Sequence, residues 1–235
     1  MTVGAFALTI AATVVPQDPA PITATDGAGP TSVAYVGVSV SRTGVVVPIR
    51  AFALGKARLA EQLAPRARAT LGLRLAEQVV SAAAGLHTLV VSSDREVRTW
   101  ADEQHLPAID DPGSLDAAAA VGRAWLAARD CTRCVIAHGD LPFARSFAGV
   151  VRDASQPVVV IVPCHRDDGT PVLSVPVDVE FAFAYGPGSF RRHAAEVRRL
   201  GLGLRVVRDA NLAFDVDVPD DLGKLAHLEG AATTS

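Results

Sequence analysis

Three kinds of residue in this 235-residue chain could do chemistry on a phosphate: separated carboxylates, a glycine-rich turn and a group of cations. Asp140 closes an apolar run and is followed by Leu141-Pro142. A carboxylate there can hold a hard cation such as Mg²⁺, which takes oxygen ligands, or can simply cap the next turn. Asp215-Val216-Asp217 is a second acidic pair. If that stretch is extended, both side chains point to one face, because side chains alternate along a strand. Two like charges on one face repel unless a cation lies between them. The plainer alternative is an acidic cluster at a helix start, since Val218-Pro219-Asp220-Asp221-Leu222 reads as one.

The glycine-rich turn is Gly186-Pro187-Gly188-Ser189-Phe190-Arg191-Arg192-His193. It follows Phe181-Ala182-Phe183-Ala184-Tyr185, which reads as a strand, and precedes a helical stretch ended by Gly201. Where a strand turns into a helix, backbone N–H groups are unpaired and the helix dipole is positive. Ser189 is a natural N-cap and Pro187 fixes the turn, while Arg191, Arg192 and His193 add positive charge. The turn is thus a cradle for a small anion or an ordinary capped turn. Arg50, Lys56 and Arg58 sit on a loop after the first strand. Such a loop can fold over a triphosphate and offset charge on a leaving pyrophosphate, or it can be a solvated basic loop. It lacks the GxxxxGK[ST] spacing of a Walker loop. Thr170 lies in a polar break from His165 to Pro171, where its hydroxyl could donate to an anion or shape a turn. His138 and His165 show no partner and read as incidental. Neither a GxSxG elbow nor an HExxH pair is present. That pattern suits a reaction driven by positioning and charge neutralisation, as in phosphoryl and nucleotidyl transfer.

The elements that must position these groups alternate. Strands are expected at 45–49, 88–92, 108–110, 134–137 and 158–162, and helices at 65–84, 94–105, 115–128 and 147–154. Such alternation implies an α/β fold with a parallel sheet covered on both faces. Ligands bind such sheets beyond the carboxyl ends of the strands, where the polar clusters at 50–58, 111–116, 138–140 and 215–217 fall.

A formal charge of −3 gives no basic field for nucleic acid. Hydrophobic residues make up 49%, ample for a core. Cys131 and Cys134 have CxxC spacing, but no second pair completes a zinc site. An odd cysteine count of three fits a reducing cytoplasm. Residues 1–44 form an extension. Its apolar run, Ala5 to Val15, is short against the roughly 20 residues that span a bilayer, and no cations precede it as in a signal peptide. A Pro/Ala/Thr/Gly-rich linker follows. The extension is disordered, an extra strand, or the result of a start codon set too early. The compact domain is expected over 45–228, with a tail at 229–235.

Four of these motifs, in this order, resemble the 2-phospho-L-lactate (or phosphoenolpyruvate) guanylyltransferases of deazaflavin coenzyme F-420 biosynthesis. They are Val47-Pro48-Ile49-Arg50 with Leu54-Gly55-Lys56-Ala57-Arg58-Leu59; Gly139-Asp140-Leu141-Pro142; Phe183 to Phe190 with His193; and Asp215 to Leu222. The resemblance covers about residues 45–225. It implies a nucleotidyltransferase-like, Rossmann-like fold, and a reaction joining GTP to a phosphorylated three-carbon acid with release of pyrophosphate. It also implies that Asp140, Asp215 and Asp217 hold Mg²⁺, that Thr170, Gly186 and Ser189 hold the acid, and that Gly188 shapes the loop. Lys56 and Arg58, with Arg50, would face the triphosphate, and the turn carrying Gly113 and Asp116 would lie near the guanine. A downstream transferase is the partner the labile product implies. This chain departs from the family at Arg50, where lysine is usual, at Asp116, where asparagine is common, and at Thr170-Pro171, which replaces a Thr-Asn type sequence after a shortened loop. A nucleotidyltransferase for a sugar phosphate or molybdopterin, and a non-catalytic GTP-binding module, are the alternatives.

Overall fold

A computed structural model describes residues 42–52, 59–151, 157–216 and 220–225. Lys56, Arg58, Asp217 and nearly all of the expected extension and tail lie outside the described residues.

Among the described residues seven strands form one sheet: β1 (Thr43–Pro48), β2 (His87–Val91), β3 (Ala108–Ile109), β4 (Arg133–Ala137), β5 (Val158–Val162), β6 (Val172–Pro176) and β7 (Gly203–Val206). Their order is β3-β2-β1-β4-β6-β5-β7. Every pairing is parallel except those of β6, which runs antiparallel to both β4 and β5. Parallel neighbours need a long crossover, but the short 163–171 loop lets β6 fold straight back on β5. The chain lays down β2 and β3 on one side of β1 and then returns to place β4 on the other. The gap between the carboxyl ends of β1 and β4 is therefore a topological switch point, where such sheets open a crevice.

Alternation along β1 splits the core. Val45 and Val47 face one layer with Ala76, Val79 and Ala82 of α1 (Pro65–Ala82), Val97 and Trp100 of α2 (Arg95–Glu103), and Val150 of α4 (Ala148–Val151). Val46 faces the other, with Ala118, Ala119 and Leu126 of α3 (Leu115–Ala127) and Ala194 and Val197 of α5 (Ser189–Arg199). Small residues let α3 sit close: a Cβ on Gly122 would come within 2.5 Å of a Val46 methyl. Side chains cap the starts of α2 and α3. Asp94 accepts from Val97 N at 3.1 Å and Ser114 from Ala117 N at 3.2 Å. A short helix, α6 (Ala210–Ala213), precedes the acidic segment, and residues 220–225 are helical as expected.

Two expectations fail here. Phe181–Tyr185 is extended but joins no strand. Side chains take its backbone hydrogen bonds instead: Asp116 accepts from Tyr185 N at 2.6 Å, His193 from Ala184 N at 3.0 Å, and Glu196 from Ala182 N at 2.9 Å. Arg123 of α3 donates to the Val177 and Val179 carbonyls. The second failure is the cap of α5. Gly188, in the left-handed region at φ 74°, holds the N-cap position and Ser189 is the first helical residue, buried and turned inward.

Candidate active site

A cavity of about 330 Å³ opens at the switch point. Its polar wall is Arg50 after β1, Asp111 before α3, and His138 and Asp140 after β4. Arg50 and Asp140 are thus brought together as expected. Of the turn expected near the base, Asp111 and Leu115 reach this wall; Gly113 and Asp116 are not among its lining residues. Gly113 donates its N–H to Asp111 at 2.8 Å, and Asp116 is engaged by Tyr185.

The acidic segment docks against the segment that follows Asp140. Phe143 lies three residues past Asp140 and Phe214 immediately before Asp215, and their ring centroids are 5.5 Å apart. Val216, Leu59 and Leu225 complete the same apolar cluster. Leu59 ends the stretch that carries Lys56 and Arg58, so the cluster gathers the flanks of three expected site segments. The Oδ1 atoms of Asp140 and Asp215 are both buried. His165, read as incidental, stacks on Phe214 at 5.3 Å and places Nδ1 3.8 Å from Asp215 and Nε2 3.9 Å from Asp221. Arg166 donates twice to the fully buried Asp221, at 2.8 and 3.1 Å, which ties the 163–171 loop to the C-terminal helical turn. Among the described residues no three His, Cys, Asp or Glu side chains gather as a metal cluster. Mg²⁺ needs fewer protein ligands, because it uses one or two carboxylates with phosphates and water, and two buried aspartate oxygens match that donor chemistry.

Thr170, Ser189 and His193 form a second cluster, each at most 1% exposed. Ser189 Oγ is 3.3 Å and His193 Nδ1 3.1 Å from Thr170 Oγ1. The sequence makes His193 a cation; the fold makes it neutral. Burial first, then Arg192 and His138, lower its pKa from 6.5 to about 4, against a small opposing effect of Glu196. Arg192 folds back on the turn, its guanidinium donating to the carbonyls of Ala184, Tyr185 and Pro187. The amide of Gly188 is already used, donating to Asp168 Oδ1 at 2.9 Å. Asp168 therefore seats a carboxylate at the positive end of α5, a contact that no local pattern signals.

Rings connect the two clusters. His138 lies 5.6 Å from Tyr185, and Tyr185 meets His193 edge-on at 4.8 Å. His138 N also donates to the Pro171 carbonyl at 2.9 Å. His138 on the cavity wall is thus linked to the buried Thr170 cluster through Tyr185 and His193, which do not line the cavity themselves.

The buried neutral His193 fixes an acid sensitivity. Above pH 6.5 the ring is uncharged whether folded or not, and its contribution is complete. As pH falls from 6.5 to about 4 the unfolded chain binds a proton that the folded chain refuses, so stability is lost across that window, by about 3 kcal/mol in all. Glu196, held down to about 2 chiefly by its hydrogen bond from Arg199, adds a further loss below pH 4.5. Urea unfolding at pH 7 and pH 4.5 checks this, and His193→Asn should flatten the upper part of the slope.

A switch-point cavity with carboxylates and a cation on its wall, in this mixed sheet, is an arrangement that suits nucleotidyl transfer. The fold is similar to that of a protein assigned as a nucleotide-diphospho-sugar transferase from Desulfovibrio desulfuricans, with a TM-score of 0.65 and 17% identity over 79% of this chain and 86% of that one. It is also similar to CMP:2-keto-3-deoxy-manno-octonic acid synthetase, with a TM-score of 0.54 and 15% identity over 82% and 100%. The chain belongs to the guanylyl transferase CofC-like family, whose model matches residues 43–235. It is 34% identical to a phosphoenolpyruvate guanylyltransferase of Sphaerobacter thermophilus, over 78% of this chain and 92% of that one. A phosphoenolpyruvate guanylyltransferase of Chloroflexus aggregans is 30% identical over 80% and 99%. Among the described residues no helix is long and apolar enough to cross a membrane.

Proposed function

We infer that this guanylyltransferase joins GTP to phosphoenolpyruvate, or to the closely similar 2-phospho-L-lactate, and releases pyrophosphate, in the cytoplasmic synthesis of coenzyme F-420. The observation that carries this is the chain of contacts from His138, which shares the cavity wall with Arg50 and Asp140, through Tyr185 and His193 to the buried Thr170–Ser189 pair. GTP takes the cavity, with Arg50, Lys56 and Arg58 toward its phosphates. The acid lies against Thr170, Ser189 and the Gly186–Gly188 turn. Its phosphate oxygen is already an anion, so it can attack the α-phosphorus in line without a strong base. Asp140 and Asp215, with Asp217, would hold Mg²⁺, and the ion would supply the screening that two anionic reactants need. The product's labile diphosphate link calls for a downstream transferase.

Purified full-length chain with GTP, Mg²⁺ and phosphoenolpyruvate should release pyrophosphate and form a guanylylated acid. No release with phosphoenolpyruvate, 2-phospho-L-lactate or a phosphoglycerate would refute the reading. Asp168 supports a second one, a GTP-binding module without turnover, because its carboxylate already holds the Gly188 amide. If the enzyme is active, Asp168 instead opposes the acid by charge. Asp168→Asn should then lower the KM for the acid about tenfold with little change in the KM for GTP. An unchanged acid KM means that Asp168 only caps the helix.

A further inference from the structure

We propose that His193 is a positioning residue whose tautomer makes the Thr170–Ser189 pair a hydrogen-bond donor, and so selects an anionic oxygen in the acceptor. The proposal rests on the reading of Thr170 and Ser189 as acceptor contacts.

Ala184 N–H lies 3.0 Å from His193 Nε2. A backbone amide can only donate, so Nε2 must present its lone pair. The neutral ring then carries its proton on Nδ1. Nδ1 is 3.1 Å from Thr170 Oγ1, so the histidine donates to that hydroxyl. Thr170 and Ser189 have two hydroxyl protons and share one hydrogen bond of 3.3 Å. Whichever of them donates to the other, one proton is left over and must seek an acceptor outside the pair. The opposite tautomer would reverse this: Thr170 would donate to Nδ1, Ser189 to Thr170, and no proton would remain.

The backbone of the extended 181–185 segment therefore sets the polarity of a site about one ring away. Glu196 and Asp116 hold that segment on either side of Ala184, through the amides of Ala182 and Tyr185, so the Ala184 amide cannot easily turn from the ring. The ring is itself fixed between Phe181 at 5.8 Å and Tyr185 at 4.8 Å. With no exposure to water, it has no solvent partner to offer the other tautomer. A donor left over in a buried pair favours a carboxylate or phosphate oxygen and disfavours a ligand N–H or C–H at the same place.

Long-range ¹H–¹⁵N spectra of the full-length wild type at pH 7 should show His193 protonated at Nδ1 and bare at Nε2; protonation at Nε2 overturns the proposal. In steady-state assays Thr170→Val should raise the KM for phosphoenolpyruvate tenfold or more, roughly what a hydrogen bond to a charged group supplies, and leave the KM for GTP unchanged. His193→Phe should do the same, and should add nothing in the Thr170→Val background. His193→Asn should restore the acid KM, because its amide can stand in for Nδ1–H. Phe and Asn both lose the Ala184 bond, so their difference isolates the donor to Thr170. A failure of Asn to restore, or a joint rise of both KM values, contradicts the proposal. A wild type inert toward every acid would refute the functional reading instead, and the tautomer spectrum would still decide the role of His193.

Discussion

Asp215→Asn is expected to leave a folded protein whose pyrophosphate release has fallen about a thousandfold or more. Asparagine keeps the size of the side chain, so the packing of Phe214 on Phe143 and on His165 should survive. What is lost is the negative charge. Asp215 lies next to the segment that carries Asp140, and a hard cation binds charged oxygens far better than an amide. Two anionic reactants then meet without screening. Turnover measured by pyrophosphate release, with circular dichroism as the control for folding, checks the effect. Full activity in a folded variant would remove Asp215 from the metal site.

Arg133→Ala should do the reverse, and cost about 4 kcal/mol of stability while leaving the chemistry of the folded fraction intact. Arg133 begins β4, at the end of the sheet opposite the cavity. Its side chain is 1% exposed, yet it reaches across β6 to hold Ser174 Oγ at 3.1 Å and the Val158 carbonyl at 2.9 Å. These bonds clamp β4, β6 and β5 where the sheet departs from parallel. Truncation opens a cavity the size of a long side chain and takes the donor from the buried Ser174 hydroxyl and the half-buried Val158 carbonyl. For a domain of this size the thermal midpoint should fall by on the order of 10 °C. A midpoint within a degree or two of the wild type would mean that the clamp is dispensable.

The two variants separate site from scaffold, and what was legible in the sequence divides along the same line. Strands β1, β2, β4 and β5 were readable because each is an apolar run long enough to be buried on both faces. The starts of α2 and α3 were readable because their caps, Asp94 and Ser114, act over three residues of their own chain. Strand β7 was not, being four residues at an edge with a glycine and an arginine among them. The 181–185 segment carries a strand's composition but finds its partners in Asp116, His193 and Glu196, and nothing in a local window shows that. Arg50 and Asp140 stood out as charges at strand ends. His138 and His165 did not, because their neighbours, Tyr185 and Asp215, are distant in sequence. His193 was misread for a related reason: a histidine beside two arginines looks cationic until burial and an amide donor fix it as neutral.

The most direct test of the whole reading is a structure of the full-length chain with Mg²⁺ and a non-hydrolysable GTP analogue. The expected result is an ion about 2.1 Å from oxygens of both Asp140 and Asp215, with the triphosphate in the cavity beside Arg50. A nucleotide seated elsewhere, or an ion held by the phosphates alone with both aspartates turned away, would contradict it.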